Sequence, residues 1–552
     1  MAWKATSAAA TSLLVSGLAV AQPVSLNVAD LDGVNGFTLN GNGIADDAGR
    51  SVSSAGDING DGMMDLIVGA PFAEQASHGA TVGQAYVVFG RTDIADLHLS
   101  SFSALDGTNG FAIDGNRKGA SQRLGETVAG AGDVNGDGFD DIIVANPNAS
   151  TAYLIYGSAT IGASGSIVAA EVNGNNGFIM SLSQTSLGLS AAGLGDFNDD
   201  GLDDFVLGAP RFDINNEPSA GAAFVVYGSA SFPLLNGQFD MESLDGTNGF
   251  RVEGVHQNGN LGVSVSSAGD LNADGLPDLV VGGSNTARVS NGAPSLGSAY
   301  IVMGGAASGG TGVLTRDSFE GEDGFVLLGE ATGDGLGRSV SNAGDLNNDG
   351  VDDLFISTLL ANQDADTRAS ESYVVFGRAG LSVAEAVASG IGVRQFTDES
   401  GFVIEHGADS AVTSPGSEVM GSAAGDFNGD GIDDLVVGFG RANGAAGQAY
   451  VIYGGESLNS IGTLEAMSLD GTNGIILDGA MPLDSLGASL AATGDLNGDG
   501  IDDFVISSPN ADPNGINGAG QVYVVFGQIP EPGTLALVTL AGLVLVRRRR
   551  SA

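Results

Sequence analysis

Short apolar runs of four to seven residues, bounded by glycine, recur along this 552-residue chain in sets of four. The first set reads Gly36-Phe37-Thr38-Leu39, Arg50-Ser51-Val52-Ser53-Ser54-Ala55, Leu66-Ile67-Val68-Gly69-Ala70-Pro71 and Gln84-Ala85-Tyr86-Val87-Val88-Phe89-Gly90. Their length and their richness in Val, Ile, Phe and Tyr predict β-strands. Helical periodicity is confined to Val383 to Ala388. Between the second and third runs of every set stands one polar string, Asp-x-Asn-x-Asp-Gly-x-x-Asp. Its seven copies begin at Asp57, Asp133, Asp196, Asp270, Asp345, Asp426 and Asp495. Seven sets of four strands predict an all-β fold, a seven-bladed β-propeller of four-stranded blades. If Ser51 to Ala55 is innermost, each Gly-Phe run is outermost and belongs to the preceding blade. Gly36 to Leu39 then completes the seventh blade and closes the ring. The alternative is that each repeat forms its own blade without strand exchange.

The polar string supplies what calcium requires: hard oxygen donors, closely spaced, on a loop turned by glycine. In the first copy Asp57, Asn59, Asp61 and Asp65 offer side-chain oxygens and Met63 a backbone carbonyl. The second offers Asp133, Asn135, Asp137, Phe139 and Asp141, and the third Asp196, Asn198, Asp200, Leu202 and Asp204. In the fourth and fifth they are Asp270, Asn272, Asp274, Leu276 and Asp278, then Asp345, Asn347, Asp349, Val351 and Asp353. The sixth and seventh hold Asp426, Asn428, Asp430, Ile432 and Asp434, then Asp495, Asn497, Asp499, Ile501 and Asp503. Up to seven Ca2+ ions are therefore expected. Magnesium resists losing so much water, and zinc prefers nitrogen or sulfur. An EF-hand needs glutamate at position twelve, where Val68 and Ile506 stand in the first and last copies. The apolar second and seventh positions are expected to face the core. A purely structural account, in which Asp, Asn and Gly simply make good turns, does not explain seven repeats of the same four donors.

Charge and cysteine narrow the partners. The 66 acidic residues against 19 basic ones argue against nucleic acid and anionic lipid. Cysteine is absent, so neither disulfides nor thiol catalysis enters. Of the four histidines, His78, His98, His256 and His406, three fall in loops of well-separated blades; they are expected as isolated surface residues, and no Gly-x-Ser-x-Gly elbow occurs. No catalytic residues and no enzyme activity are expected.

The ends of the chain carry addresses. Lys4, the apolar stretch Leu13 to Ala21 and the small residues Ala19 and Ala21 predict a cleaved signal peptide over 1–21. At the other end Pro530-Glu531-Pro532 precedes the uncharged stretch Gly533 to Val546 and then Arg547 to Arg550. Fourteen helical residues span about 21 Å, short of the roughly 30 Å hydrocarbon core. Segment 530–552 resembles the PEP-CTERM sorting signal of Gram-negative bacteria. That resemblance implies transient inner-membrane anchoring through residues 533–546, cleavage by an exosortase-type protease, and release or attachment at the cell surface. A permanent one-helix anchor is the alternative.

Residues 22–529 carry a second resemblance. Phe-Gly elements, and Gly-Ala-Pro at Gly69-Ala70-Pro71 and Gly208-Ala209-Pro210, surround the Asp-rich strings. They are similar to the FG-GAP repeats of the integrin alpha-subunit propeller. Gly-Ala-Pro decays to Ala145-Asn146-Pro147 and Ser507-Ser508-Pro509 and is lost in repeats four to six. The propeller fold follows from the resemblance; a heterodimeric receptor does not, because all seven repeats carry the string and no leg domains follow.

The expected function is an exported adhesion or binding module at the cell surface or in the extracellular matrix. Its protein or polysaccharide ligand is expected on the face opposite the calcium loops. There the connections Phe72 to Gly83, Arg211 to Gly221, Ser284 to Gly297, Leu360 to Ser372, His406 to Glu418 and Asn510 to Gly520 vary most. The alternative is a calcium-bridged structural component of a biofilm or exopolysaccharide matrix, with a secreted hydrolase or lyase a more distant reading.

Overall fold

The computed structural model describes residues 25–528 apart from 75–81, 93–100, 116–121, 185, 285–295, 306–311, 316–323, 330–333, 359–370, 382–390, 393–399 and 407–418. Both terminal address segments, and the helical periodicity at Val383 to Ala388, lie outside these residues. Seven sheets form, as the fourfold apolar pattern predicts. The first blade runs from Val52–Gly56, innermost, through Asp65–Ala70 and Gln84–Val88 to Gly110–Asp114. The other innermost strands are Thr127–Gly132, Ser190–Gly195, Leu261–Gly269, Val340–Gly344, Val419–Gly425 and Leu490–Gly494. Each touches the next, and the last touches the first, so the ring is closed.

The second strand of every blade is buried at every residue, from Asp65–Ala70 in the first to Asp503–Ser508 in the seventh. Both of its faces meet neighbouring blades, which is why its sequence is a continuous apolar run rather than an alternating one. The core is accordingly divided into seven clusters, each between two blades. One joins Ile67 and Val87 to Ile142 and Val144; another crosses the closure, joining Leu66 and Val68 to Val505 and Val524.

Closure follows the expected route. Gly36–Asn40 pairs antiparallel with Gln521–Val525, from Gly36 opposite Val525 to Asn40 opposite Gln521. Phe37 packs on Phe526 at 5.8 Å between ring centroids. The strand-exchange expectation is therefore borne out.

The four-strand count needs correction, because among the described residues six of the seven sheets have a fifth strand. Ser166–Val168 pairs parallel with Gly110–Asp114 of the first blade before the chain goes on to the outer strand of the second. Ser25–Asn27 does the same on Gly474–Asp478 of the sixth blade. The N-terminal segment thus stitches the last two blades together. Such a strand has three residues or fewer, too few for an alternating pattern to register.

Each innermost strand ends in a bulge at glycine, where the register shifts, for example between Ser54 and Gly56. Gly56 has φ +68°, and its equivalents Gly132, Gly195, Gly269, Gly344, Gly425 and Gly494 lie between +63° and +75°. An L side chain there is strained, so glycine sets the angle at which every Asp-rich loop leaves its strand.

Candidate functional site

All seven Asp-rich loops lie at one end of the ring, where innermost strands finish and second strands begin. In the first loop the Asp57 carboxylate accepts N–H bonds from Gly60, Asp61 and Gly62 at 2.7, 3.0 and 2.8 Å. Asp61 accepts from Met63 N at 3.0 Å. The pattern repeats down to Asp495, which accepts from Gly498, Asp499 and Gly500. The asparagine touches a neighbouring carboxylate. Asn59 Nδ2 lies 3.4 Å from Asp65, and Asn198, Asn272 and Asn347 donate to Asp200, Asp274 and Asp349 at 2.9–3.0 Å.

The ninth residue is the buried anchor. Asp65, Asp141, Asp204, Asp278, Asp353, Asp434 and Asp503 are each fully buried. Asp65 accepts from Ile58 N at 3.1 Å and from Gly90 N at 2.8 Å. The second bond comes from the Phe-Gly glycine after the third strand, and it recurs in every blade through Gly157, Gly228, Gly304, Gly377, Gly454 and Gly527. Glycine is required there: a Cβ on Gly90 would stand 2.0 Å from Met64 O. Burial pushes the carboxyls of Asp65, Asp141, Asp353 and Asp434 up to about 8, and those of Asp204, Asp278 and Asp503 up to about 7. A neighbouring cation would favour the ionised form.

Each loop carries oxygen donors at the first, third, fifth and ninth residues of its string. Among the described residues, no three acidic or histidine side chains are gathered into a ready-made metal cluster. The donor chemistry fits a hard divalent cation, and Asp204 Oδ2 lies buried without a hydrogen-bond partner. The second position is buried in all seven loops, as expected. The seventh is not: apart from the buried Val351, these side chains are half-buried and do not face the core. Instead they reach toward the loop next door. The Phe139 ring leaves no room for a Cβ on Gly60, and Leu202 does the same at Gly136.

The eighth position carries a role that motif reading missed. Asp140 Oδ2 accepts the backbone N–H of Asp57, in the preceding blade, at 2.6 Å. Asp203, Asp352, Asp433 and Asp502 do the same for Asp133, Asp270, Asp345 and Asp426 at 2.8–3.0 Å. Burial raises the carboxyls of Asp140, Asp203, Asp352 and Asp502 above their ordinary value. Five of the seven loops are thereby latched to the next. At the other two junctions Met64 and Pro277 stand at this position and cannot accept the bond. The signal was present in the doubled aspartates at 140–141, 203–204, 352–353, 433–434 and 502–503, but the partner lies a whole repeat away. Asp203→Ala is expected to cost about 1.5–3 kcal/mol, the range for a hydrogen bond to a charged group. Met64→Asp is expected to add a sixth latch and raise the denaturation midpoint. Urea unfolding of both variants against wild type checks the pair.

The histidines divide. His78 and His98 lie outside the described residues, and His256 is half-buried. His406, expected at the surface, is buried against Phe439 at 3.9 Å between ring centroids, with Nε2 3.1 Å from Ser372 Oγ. Burial pushes its pKa down to about 3. The unfolded chain takes up this proton near pH 6.5 and the folded one does not, so stability is lost as pH falls from about 6.5 toward 3. At pH 5 wild type is expected to have lost about 2 kcal/mol relative to its value above pH 7 through this group. The variant His406→Gln should lack that component when both are unfolded in urea across pH 5–7.5.

At the opposite end lie the connections between second and third strands. Arg211 to Gly221 is held by the bridge between Ile214 and Glu217, and Asn510 to Gly520 by a turn at Pro513–Gly515. The innermost strands enclose a channel of about 1100 Å³, whose wall includes Arg50, Arg211, Arg338 and Arg441. The described chain leaves by the loop end, where Gln528 N donates to Phe427 O at 3.0 Å.

The FG-GAP repeat model matches residues 48–88, 124–168, 188–226, 420–452 and 486–525, which fall in the first, second, third, sixth and seventh repeats. The PEP-CTERM protein-sorting motif matches residues 528–550. Over 169 residues the chain is 29% identical to integrin alpha-5 of Xenopus laevis, covering 30% of this chain and 13% of that protein. Over 130 residues it is 32% identical to phosphatidylinositol-glycan-specific phospholipase D of Bos taurus, covering 23% and 14%. The chain thus spans only about a seventh of the length of these relatives. The solved structure of the Dos1 propeller aligns over 90% of this chain and 98% of that one, at 10% identity and a TM-score of 0.40, too distant to inform the fold. Repeats, closure and sorting motif agree: this chain carries FG-GAP repeats and a PEP-CTERM protein-sorting motif on a closed seven-bladed β-propeller, with similarity to integrin alpha chains.

Proposed function

We propose that this protein is an exported, calcium-loaded binding module of the bacterial surface, processed by an exosortase-type protease and presenting its ligand face outward. The observation that carries the reading is the polarity of the ring. The Asp-rich loops and the exit at Gln528 share one end, so a chain tethered through its sorting segment turns the variable connections away from the membrane. Calcium at the donors of the seven loops supplies charge compensation and rigidity, and the chemistry assigned to it here is structural. A signal peptide over 1–21 and a Gram-negative host complete the proposal. Among the described residues no helix is long and apolar enough to cross a membrane; segment 533–546 lies outside them.

The test is display. Cells producing the full chain should expose an epitope inserted between Asn215 and Asn216, and should bind a ligand-bearing surface. Exchange of the Arg211 to Gly221 connection should abolish that binding without altering export. An epitope shielded from antibody on intact cells, or binding indifferent to this face, would overturn the orientation. The matrix reading is favoured by the net charge of −47 and the exposed fifth-position aspartates, which suit calcium bridging between chains. Calcium-dependent association without saturation would support it over one-to-one binding.

A further inference from the structure

We infer that the channel mouth on the outward face is a binding site for a carboxylate-bearing oligosaccharide, held by a ring of arginines; the inference rests on the binding-module reading and names its ligand class. The position of the arginines follows from topology. Arg50 and Arg338 stand just before the innermost strands Val52–Gly56 and Val340–Gly344, where those strands begin. Arg211 and Arg441 stand just after Asp204–Ala209 and Asp434–Phe439, where second strands end. Adjacent strands run antiparallel, so all four fall at the end opposite the Asp-rich loops, and all four line the channel.

The charge distribution makes this collection unusual. A chain with 66 acidic and 19 basic residues places four arginines, from four blades, around one opening. Among the described residues Glu126 is the one acidic residue of the channel lining, and it lies 3.7 Å from Arg50 and 3.6 Å from Arg123. Asp47, outside the lining, also faces Arg50 and Arg123, yet the described lining itself sets four arginines against one glutamate on an otherwise negative molecule, a balance suited to capture an anion and steer it inward. Guanidinium groups match carboxylates by paired N–H donors.

The wall selects among carboxylates. Below the arginines it is lined by serine hydroxyls and small residues, with no aromatic side chain among the described lining residues. Neutral sugars that depend on ring stacking are poorly served, whereas hydroxyl-rich chains carrying a carboxylate meet both donor types. A peptide is disfavoured because neighbouring innermost strands are tied together by their serines. Val128 N donates to Ser51 Oγ, Val340 N to Ser264 Oγ and Val52 N to Ser489 Oγ, each at 3.1 Å. Those N–H groups are not available to an added strand, and while the Ser51 hydroxyl donates to Val128 O at 3.4 Å, those of Ser264 and Ser489 keep a proton to donate.

The experiment is calorimetric titration of the calcium-saturated full chain with oligogalacturonate, with a neutral galacto-oligosaccharide and poly-aspartate as comparators. Saturable binding of the uronate, weakened by salt and absent for the neutral chain, is the expected result. The double variant Arg211→Ser, Arg441→Ser should bind at least about tenfold more weakly, the factor for losing about 1.4 kcal/mol of charge-assisted contact. Arg378→Ser, outside the channel lining, should bind as wild type does, and all variants should melt alike. Uronate affinity unchanged in the double variant, equal binding of the neutral chain, or binding of poly-aspartate alone would each overturn the inference. None of these would touch the binding-module reading, which stands or falls on the display experiment.

Discussion

Chelation of calcium is expected to lower the melting temperature of this protein by about 10 °C or more, with close to seven ions released per chain. The magnitude follows from mass action. An ion that binds only the folded loop stabilises it by about 2.7 kcal/mol at a hundredfold excess over Kd. Three or four such sites, about 8–11 kcal/mol together, are comparable with the roughly 5–15 kcal/mol that separate a typical domain from unfolding. The loops carry two costs that an ion relieves. Every ninth aspartate is fully buried, with its carboxyl raised toward neutrality by that burial. The first and fifth aspartates also stand together at the loop end of a chain whose net charge is −47. The five eighth-position latches carry the effect from loop to loop, because each joins the backbone of one first aspartate to the next blade. Two interruptions, at Met64 and Pro277, divide the ring into arcs of three and four blades, so the melting curve of the chelated protein should broaden or split. Paired calorimetric scans with and without chelator, together with metal analysis, decide the matter. One or two ions and a shift of a degree or two would make most loops simple turns.

What the sequence disclosed and what it hid have the same physical origin. Strands Leu66 to Ala70 and Gln84 to Val88 were legible because burial on both faces writes an unbroken apolar run. Ring closure was legible because Gly36 to Leu39 repeats the outer-strand pattern with no earlier blade to join. The loops were legible because seven copies repeat both the donors and the turn. The fifth strands were not, since Ser166–Val168 is exposed or half-buried at every residue and carries no pattern. Nor was the duty of Asp140, whose partner is the backbone N–H of a residue 83 positions earlier. His406 was misread for the same reason: its burial is decided by Phe439, which belongs to the next blade. Local chemistry is written locally, and contacts between blades are not.

Within one loop, two aspartates of the same string are expected to fail in different ways. Asp353 is fully buried and accepts from Leu346 N and Gly377 N, both at 3.0 Å. Asp353→Ala would strand both N–H groups away from water and leave a void, at an expected cost of about 3–5 kcal/mol. That loss should appear with calcium and with chelator alike, because the Gly377 bond fastens the third strand of the blade to the second. Asp349 is exposed and accepts only from within its own loop, from Val351 N and Asn347 Nδ2 at 3.0 Å. Asp349→Ala should therefore leave the chelated protein within about 0.5 kcal/mol of wild type, the range for surface substitutions. Its effect should be confined to the calcium-bound state, as the loss of one ion and of that ion's share of the stabilisation. Urea unfolding of the two variants in both conditions separates a carboxylate that builds the blade from one that serves only the ion. If Asp349→Ala weakened the chelated protein as much as the loaded one, the fifth position would be part of the turn and not of a calcium site. If Asp353→Ala were tolerated, the glycine after the third strand would have some other reason to stand where it does in all seven blades.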